Sequence, residues 1–220
     1  MNTDWDILGP SSLKFFGRIT ATNAHELNNT IGIINESAGL MEDLGLLAKN
    51  GSTPPDIDKW VSICKKISTQ VHRANETIKN LNVFAHCTDR IKETVYPENL
   101  VNLVVNLSKR PLDEKRVTAI VIPQEKPGKI LIHQFLFLKL IGDCLSFAAD
   151  NADEKREIAI TISHDSKRLT IEFSGLDIED KNAFDGIIKE ELSTVLDVKI
   201  TLDKDKISLL IFPDKSSEKI

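Results

Sequence analysis

Apolar residues recur at alternating spacings of three and four through two long stretches of this chain, a pattern that restricts its fold severely. The first stretch begins at Ser11 or Ser12 and reaches about Lys49, with apolar positions at Ala24, Leu27, Ile31, Ile34, Ala38 and Met41. The second has apolar positions at Ile57, Trp60, Cys64, Ile67, Val71, Ala74, Ile78, Leu81 and Ala85. Such spacing is typical of helices that pack along a narrow apolar strip.

A short turn separates the two predicted helices. Asn50-Gly51 provides a helix C-cap, and the segment from Ser52 to Asp56 contains two prolines. Long helices joined by a short turn form an antiparallel hairpin. One hairpin leaves half of each apolar strip uncovered, so we expect two copies to form a four-helix bundle as a homodimer.

The pattern changes after residue 90 to mixed helices and strands. The predicted elements are a helix from Glu98 to Arg110 stopped by Pro111, a strand at 117–122, a short extended segment at 130–132, an almost wholly apolar helix at 134–149, strands at 158–163 and 169–173, a helix at about 187–196, and strands at 198–202 and 207–212. This order predicts an α+β fold with helices on one face of a mixed sheet. We place the domains at 11–89 and 97–214.

Composition excludes several classes of function. The net charge of −5 argues against a general nucleic-acid binder, and no apolar run is long enough to span a bilayer. The three cysteines lack CxxC spacing, so we expect reduced thiols, no metal site and a cytoplasmic protein. Only three of the ten glycines follow residue 128, which argues against a phosphate-binding loop there.

One polar segment of the first helix could carry chemistry. His25 follows an apolar-strip residue, Glu26 is its neighbour, and Asn29 lies one helical turn further on. An imidazole beside a carboxylate can act as a nucleophile toward phosphorus. A solvated surface histidine with polar neighbours fits the same spacing, and the spacing alone favours that alternative.

This segment resembles the dimerisation helix of two-component sensor histidine kinases. Their box has the form His-Glu-Leu-x-Asn/Thr-Pro-Leu, and the chain reads His25-Glu26-Leu27-Asn28-Asn29-Thr30-Ile31. The resemblance implies that His25 accepts a phosphoryl group, that Glu26 assists the transfer, and that Asn29 positions water to dephosphorylate a partner regulator. Thr30 replaces the usual proline, which leaves the usual kink in doubt.

The second domain resembles the family's Bergerat-type (HATPase-like) ATP-binding domain without its nucleotide residues. The helical box Asn-Leu-Leu-x-Asn-Ala aligns with Asp143 to Ala148, so Phe147 replaces the asparagine that holds magnesium. The Asp-x-Gly-x-Gly box aligns with residues 174–178, where Ser174, Leu176 and Ile178 replace the aspartate and both glycines. The later glycine box is absent from the sequence. The resemblance therefore implies a degenerate α/β sandwich.

A kinase-like dimer of this kind resembles the dimeric histidine phosphotransferases of phosphorelays. We predict that His25 passes a phosphoryl group between receiver aspartates of response regulators, that magnesium comes with the receiver, and that the chain has no cofactor of its own. Phosphotransfer, rather than ATP-dependent kinase activity, is the expected chemistry. Two alternatives stay open: an atypical active histidine kinase, and a non-enzymatic pseudokinase scaffold that regulates a receiver or a kinase.

Overall fold

The computed structural model describes residues 3–51, 54, 56–122, 128–164, 168–180, 184 and 190–212. Contacts divide the chain into a helical unit, Thr20–Asn82, and an α/β unit made of Met1–Ile19 and Val83–Ile220. The domain limits 11–89 and 97–214 stay a prediction.

Two helices build the hairpin, α1 (Thr3–Lys49) and α2 (Ile57–His86). Trp60 lies against Gly45, Cys64 against Met41, and the side chain of residue 73 against that of residue 26, so the helices run antiparallel. The predicted hairpin is confirmed. Ser52, Thr53 and Pro55 of the predicted turn lie outside the described residues.

The start of the first helix was predicted too late. α1 begins at Thr3, and Pro10 lies inside it. A proline lacks one amide hydrogen and so removes a single hydrogen bond from the helix. The neighbouring turns tolerate this loss, so Gly9-Pro10 is not a boundary.

Only half of each predicted apolar strip is covered within one chain. Leu27, Ile34 and Met41 on α1 are half-buried, as are Trp60, Ile67, Ala74 and Leu81 on α2. The alternate positions are exposed, and we call them the outer strip: Ala24, Ile31, Ala38, Ile57, Cys64, Val71 and Ile78. A heptad pattern contains both sets because they lie on adjacent stripes of the same helix.

The most buried positions of α1 in the helical unit are polar, which the sequence pattern did not predict. Asn23, Thr30 and Ser37 follow one another at intervals of seven, with exposed fractions of 6%, 2% and 4%. The Thr30 hydroxyl bonds to the backbone of its own helix, whereas the buried Ser37 hydroxyl has no hydrogen-bond partner among the described residues. Burial along this stripe therefore does not depend on hydrophobicity.

The α/β unit contains two sheets and four further helices in its described part. The strands are β1 (Glu93–Val95), β2 (Thr118–Ile122), β3 (Ile130–Ile132), β4 (Glu157–His164), β5 (Leu169–Ser174), β6 (Val198–Leu202) and β7 (Lys206–Ile211). The helices are α3 (Pro97–Leu107), α4 (Lys109–Glu114), α5 (Gln134–Asp150) and α6 (Glu190–Val195). Residues 187–189 of the predicted last helix lie outside the described part.

The main sheet is mixed, as predicted. Its strand order is β2-β4-β5-β7-β6, with β2 and β4 parallel and the other pairs antiparallel. Alternate residues of β5 are buried, and α5 is buried on almost all sides. Alternating burial is typical of a sheet with one face covered by helices. The predicted fold class, a helical hairpin followed by an α/β sandwich, is confirmed.

One local prediction in this unit was wrong, and one short strand was not predicted. Pro111 does not stop a helix: α3 ends at Leu107, and Pro111 lies in the first turn of α4. The amides of a first turn have no acceptor within the helix, so proline costs little there. The segment predicted as a boundary also contains β1, which pairs with β3 as a separate two-stranded sheet. Three-residue strands are too short to show a period.

Candidate functional site

His25 lies on the exposed side of α1, in a turn that continues without interruption on both sides. Its neighbours in sequence diverge around the helix because successive residues are about 100° apart. His25 and Asn29 are both exposed, while Glu26 is half-buried. No described side chain forms a hydrogen bond or ion pair with the His25 ring. The imidazole is therefore accessible to a partner protein.

Glu26 contacts α2 through an arginine. Arg73 Nη2 lies 2.6 Å from Glu26 Oε1, with the two side chains 49% and 18% exposed. A partly buried pair of this kind keeps both charges close together and partly shielded from water. The carboxylate next to His25 is thus occupied by Arg73. The sequence pattern did not predict this contact, because a pair between two helices leaves no local spacing signal.

Thr30 continues the helix at the position where the histidine-kinase box has proline. Its Oγ1 donates a hydrogen bond of 2.9 Å to the Glu26 backbone oxygen, and the side chain is 2% exposed. A proline at this position would leave that same carbonyl without its helical donor and would press its ring against it. The described backbone accordingly continues as α-helix from Thr3 to Lys49.

The position that the resemblance assigns to a magnesium asparagine is a buried phenyl ring. Phe147 is 2% exposed and meets Phe184 edge to face, with ring centroids 4.9 Å apart. An aromatic ring offers no oxygen or nitrogen to a hard cation. Phe147 therefore belongs to the core of the α/β unit.

Asp143, the first residue of the same box, forms ion pairs with two basic side chains. Asp143 Oδ2 lies 2.5 Å from Lys139 Nζ, and Asp143 Oδ1 lies 3.4 Å from Arg18 Nη2. Asp143 and Lys139 are 8% and 4% exposed. Buried charges require such partners, because an unpaired ion in a low-dielectric interior is costly. Both carboxylate oxygens thus face cations of the protein.

The segment aligned with the glycine box forms a closed turn. Leu176 and Ile178 are 5% and 2% exposed. Backbone hydrogen bonds join Asp177 N to Asn151 O at 2.9 Å and Ile178 N to Lys204 O at 2.8 Å. Apolar side chains therefore occupy the space that two glycines would leave open. The residues at these positions do not fit an ATP–magnesium group.

Two of the three cysteines are buried, and His133 caps a helix. All three cysteines are free thiols, with Cys64 exposed. Burial, then the nearby Glu93 and Asp89, raises the pKa of Cys87 to about 11, and burial raises the pKa of Cys144 well above its usual range. Burial also lowers the pKa of His133, whose Nδ1 accepts from the Leu136 amide as an N-cap. Because their pKa values are raised, the Cys87 and Cys144 thiols are poor nucleophiles at neutral pH.

The described residues hold no cluster of three His, Cys, Asp or Glu side chains suited to a metal ion. Within the same described ranges, none of the helices combines the length and apolar character needed to cross a bilayer.

The chain was compared with known proteins and structures. No protein-family model and no curated protein sequence matches it. Among solved structures it is similar to the Acinetobacter baumannii histidine kinase AdeS, with 13% identity, a TM-score of 0.47, and coverage of 87% of this chain and 98% of AdeS. It is also similar to full-length ShkA in complex with AMPPNP, with 12% identity, a TM-score of 0.48, and coverage of 90% of this chain and 46% of ShkA.

A third similar structure is the catalytic domain of the histidine kinase ThkA, with 11% identity and a TM-score of 0.45. That match covers 56% of this chain and 96% of the ThkA domain. All three TM-scores lie below 0.5, so the functional proposal rests on the residues of this chain.

Proposed function

We propose that this chain is a histidine phosphotransferase of a two-component phosphorelay. His25 accepts a phosphoryl group from the aspartyl phosphate of one receiver domain and donates it to the aspartate of another, without ATP. The observation that carries the proposal is the contrast between two places. The His25 ring is exposed and has no described partner, whereas Phe147, Leu176 and Ile178 are packed into the core.

The transfer needs only a neutral imidazole and an acyl phosphate. A lone pair of one ring nitrogen attacks phosphorus, the bond between phosphorus and the aspartate oxygen breaks, and the carboxylate leaves with that electron pair. The proton on the other ring nitrogen stays in place, so phosphohistidine forms as an imidazolium. In the second step a receiver carboxylate attacks phosphorus, and His25 leaves as neutral imidazole. Positioning and charge stabilisation supply the catalysis of such a step.

Glu26 and Asn29 complete the proposed site. Glu26 is the acid that follows His25, with its carboxylate paired to Arg73, and Asn29 is exposed one turn away, where its amide would orient water toward a receiver phosphate. The magnesium ion belongs to the acidic pocket of the receiver. The partners are thus receiver domains and a second copy of this chain, with no role for nucleic acid or a membrane, and the site of action is the cytoplasm.

The decisive experiment is phosphotransfer from phosphorylated receivers to the purified chain without ATP. We expect label on the wild-type protein and none on His25→Ala. His72→Ala is the matched control, because His72 is also an exposed helical histidine and its replacement should leave labelling intact. A second, unlabelled receiver should then remove the label from His25.

The same assay separates the alternatives. Labelling of His25 by ATP and magnesium alone would indicate an atypical active kinase and contradict the proposal. Receiver binding without any labelling, equal for wild type and His25→Ala, would indicate a scaffold. Labelling that survives His25→Ala would show that another residue accepts the phosphoryl group.

A further inference from the structure

An ion pair joins Arg73 and Glu26 next to the proposed phosphoryl acceptor. Glu26 is the residue that follows His25, yet its carboxylate is 2.6 Å from the Arg73 guanidinium of α2. Glu26 is the more buried partner, with 18% of its side chain exposed. Its carboxylate is therefore held toward α2, while His25 stays on the exposed side of the same turn.

We propose that Arg73 is a positioning residue for phosphotransfer: it pairs with the Glu26 carboxylate, so that no unpaired negative charge lies next to the His25 ring. This inference rests on the proposed function. It makes phosphohistidine a short-lived carrier rather than a store of phosphoryl groups.

The chemical consequence concerns the phosphorylated state. Phosphohistidine carries its positive charge on the ring, and an unpaired Glu26 carboxylate at the next position would stabilise that charge through space. Stabilisation would slow the step in which the bond between nitrogen and phosphorus breaks and neutral imidazole leaves. With Glu26 neutralised by Arg73, the leaving step lacks this barrier. The phosphoryl group then moves on readily to the second receiver aspartate.

Other charges near this turn are few. The charged or titratable side chains of α2 along the facing turns are His72, Arg73, Glu76 and Lys79, all exposed. Among them Arg73 has an ion pair to α1 in the described structure. Lys79 has the same sign and lies on the same helix, and it provides a matched control.

The first measurement uses the unphosphorylated full chain and needs no receiver. Heteronuclear NMR follows the His25 ring nitrogens against pH, with the His25 signals assigned by their loss in His25→Ala. In Arg73→Ala the Glu26 charge is no longer neutralised, so the midpoint of the His25 titration should rise by roughly 0.5–1 pH unit. Arg73→Lys and Lys79→Ala should both titrate like the wild type.

Removal of the carboxylate tests whether Arg73 acts through Glu26. The rise of the midpoint caused by Arg73→Ala should be much smaller when Glu26 is already Gln, because no carboxylate is then left to become unpaired. In receiver assays, Arg73→Ala should slow onward transfer from phosphohistidine several-fold, whereas Lys79→Ala should transfer at the wild-type rate.

Two results would overturn the inference. One is an unchanged titration midpoint in Arg73→Ala. The other is a rise of the His25 titration midpoint on Arg73→Ala that is equally large when Glu26 is already Gln. If the proposed function fails, wild-type His25 receives no label from any receiver. The NMR titrations of His25 would still report the effect of Arg73, so the two failures are distinguishable.

Discussion

Gly175 lies in a segment where both expected glycines are replaced, and its backbone explains why glycine stands at this position. Its φ is +86°, and a Cβ placed there would lie 2.1 Å from the backbone oxygen of Glu157. A left-handed conformation and a close backbone approach both require glycine. Gly175 therefore serves the closed turn after β5, whereas Leu176 and Ile178 fill the core beside it.

Gly175→Ala should lower the free energy of unfolding by about 2–4 kcal/mol, because alanine is strained at positive φ and its methyl group collides with backbone. The measurement is urea unfolding at fixed protein concentration. Gly17→Ala is the control in the same unit: Gly17 lies in α1, where an added methyl group would meet no atom within 4 Å, and the change should stabilise by about 0.5–1 kcal/mol. Equal stabilities for the two variants would refute this account.

At the scale of an element, the continuity of α1 depends on Thr30. The threonine keeps its backbone N–H and adds a hydroxyl donor to the Glu26 carbonyl. Both features preserve the helix directly after His25. The turn that presents the imidazole is therefore a regular helical turn, without the distortion that a proline would introduce.

Thr30→Pro should lower the free energy of unfolding by about 3 kcal/mol or more, because it removes a helical hydrogen bond and crowds the Glu26 carbonyl. Thr30→Val keeps the branched shape and loses only the hydroxyl bond, so its cost should be about 1 kcal/mol. Chemical unfolding followed by circular dichroism at one protomer concentration measures both. If proline is tolerated as well as valine, the helix does not need to be continuous here.

At the scale of the whole molecule, a single chain leaves the apolar side chains of the outer strip exposed. Ile31, Val71 and Ile78 are 49%, 42% and 46% exposed, at spacings that match a coiled-coil position. Contiguous exposed apolar side chains on two helices are typical of an interaction surface. The outer strip of a second copy has the same period and would complete a four-helix bundle.

Aspartate on the outer strip should separate the proposed dimer, because it would place a charge in an apolar interface. We expect Val71→Asp and Ile78→Asp to sediment as monomers at concentrations where the wild type sediments as a dimer. Ile91→Asp is the control, since Ile91 is 78% exposed and lies outside the hairpin. A wild-type monomer, or dimers of all variants, would contradict the bundle.

Long elements and their order were predictable from the sequence, since their signals repeat many times. The period of three and four over α1 and α2 predicted the hairpin, and apolar helices and strands predicted the mixed sheet. The short strand β1 and the broken helix at Ser108 were missed because three residues or one kink carry no period. The candidate histidine was predictable only through its resemblance to a known box, and that assignment remains a prediction.

By itself, the sequence determined the two helices, the strands of the sandwich, and the replacement of nucleotide residues by apolar ones. These properties follow from local spacing and side-chain chemistry. Only the tertiary structure decided which half of each apolar strip is covered, that Thr30 is buried, and that Glu26 pairs with Arg73. Those outcomes depend on how two helices rotate and align against each other, and that rotation is set by contacts between residues far apart in the chain.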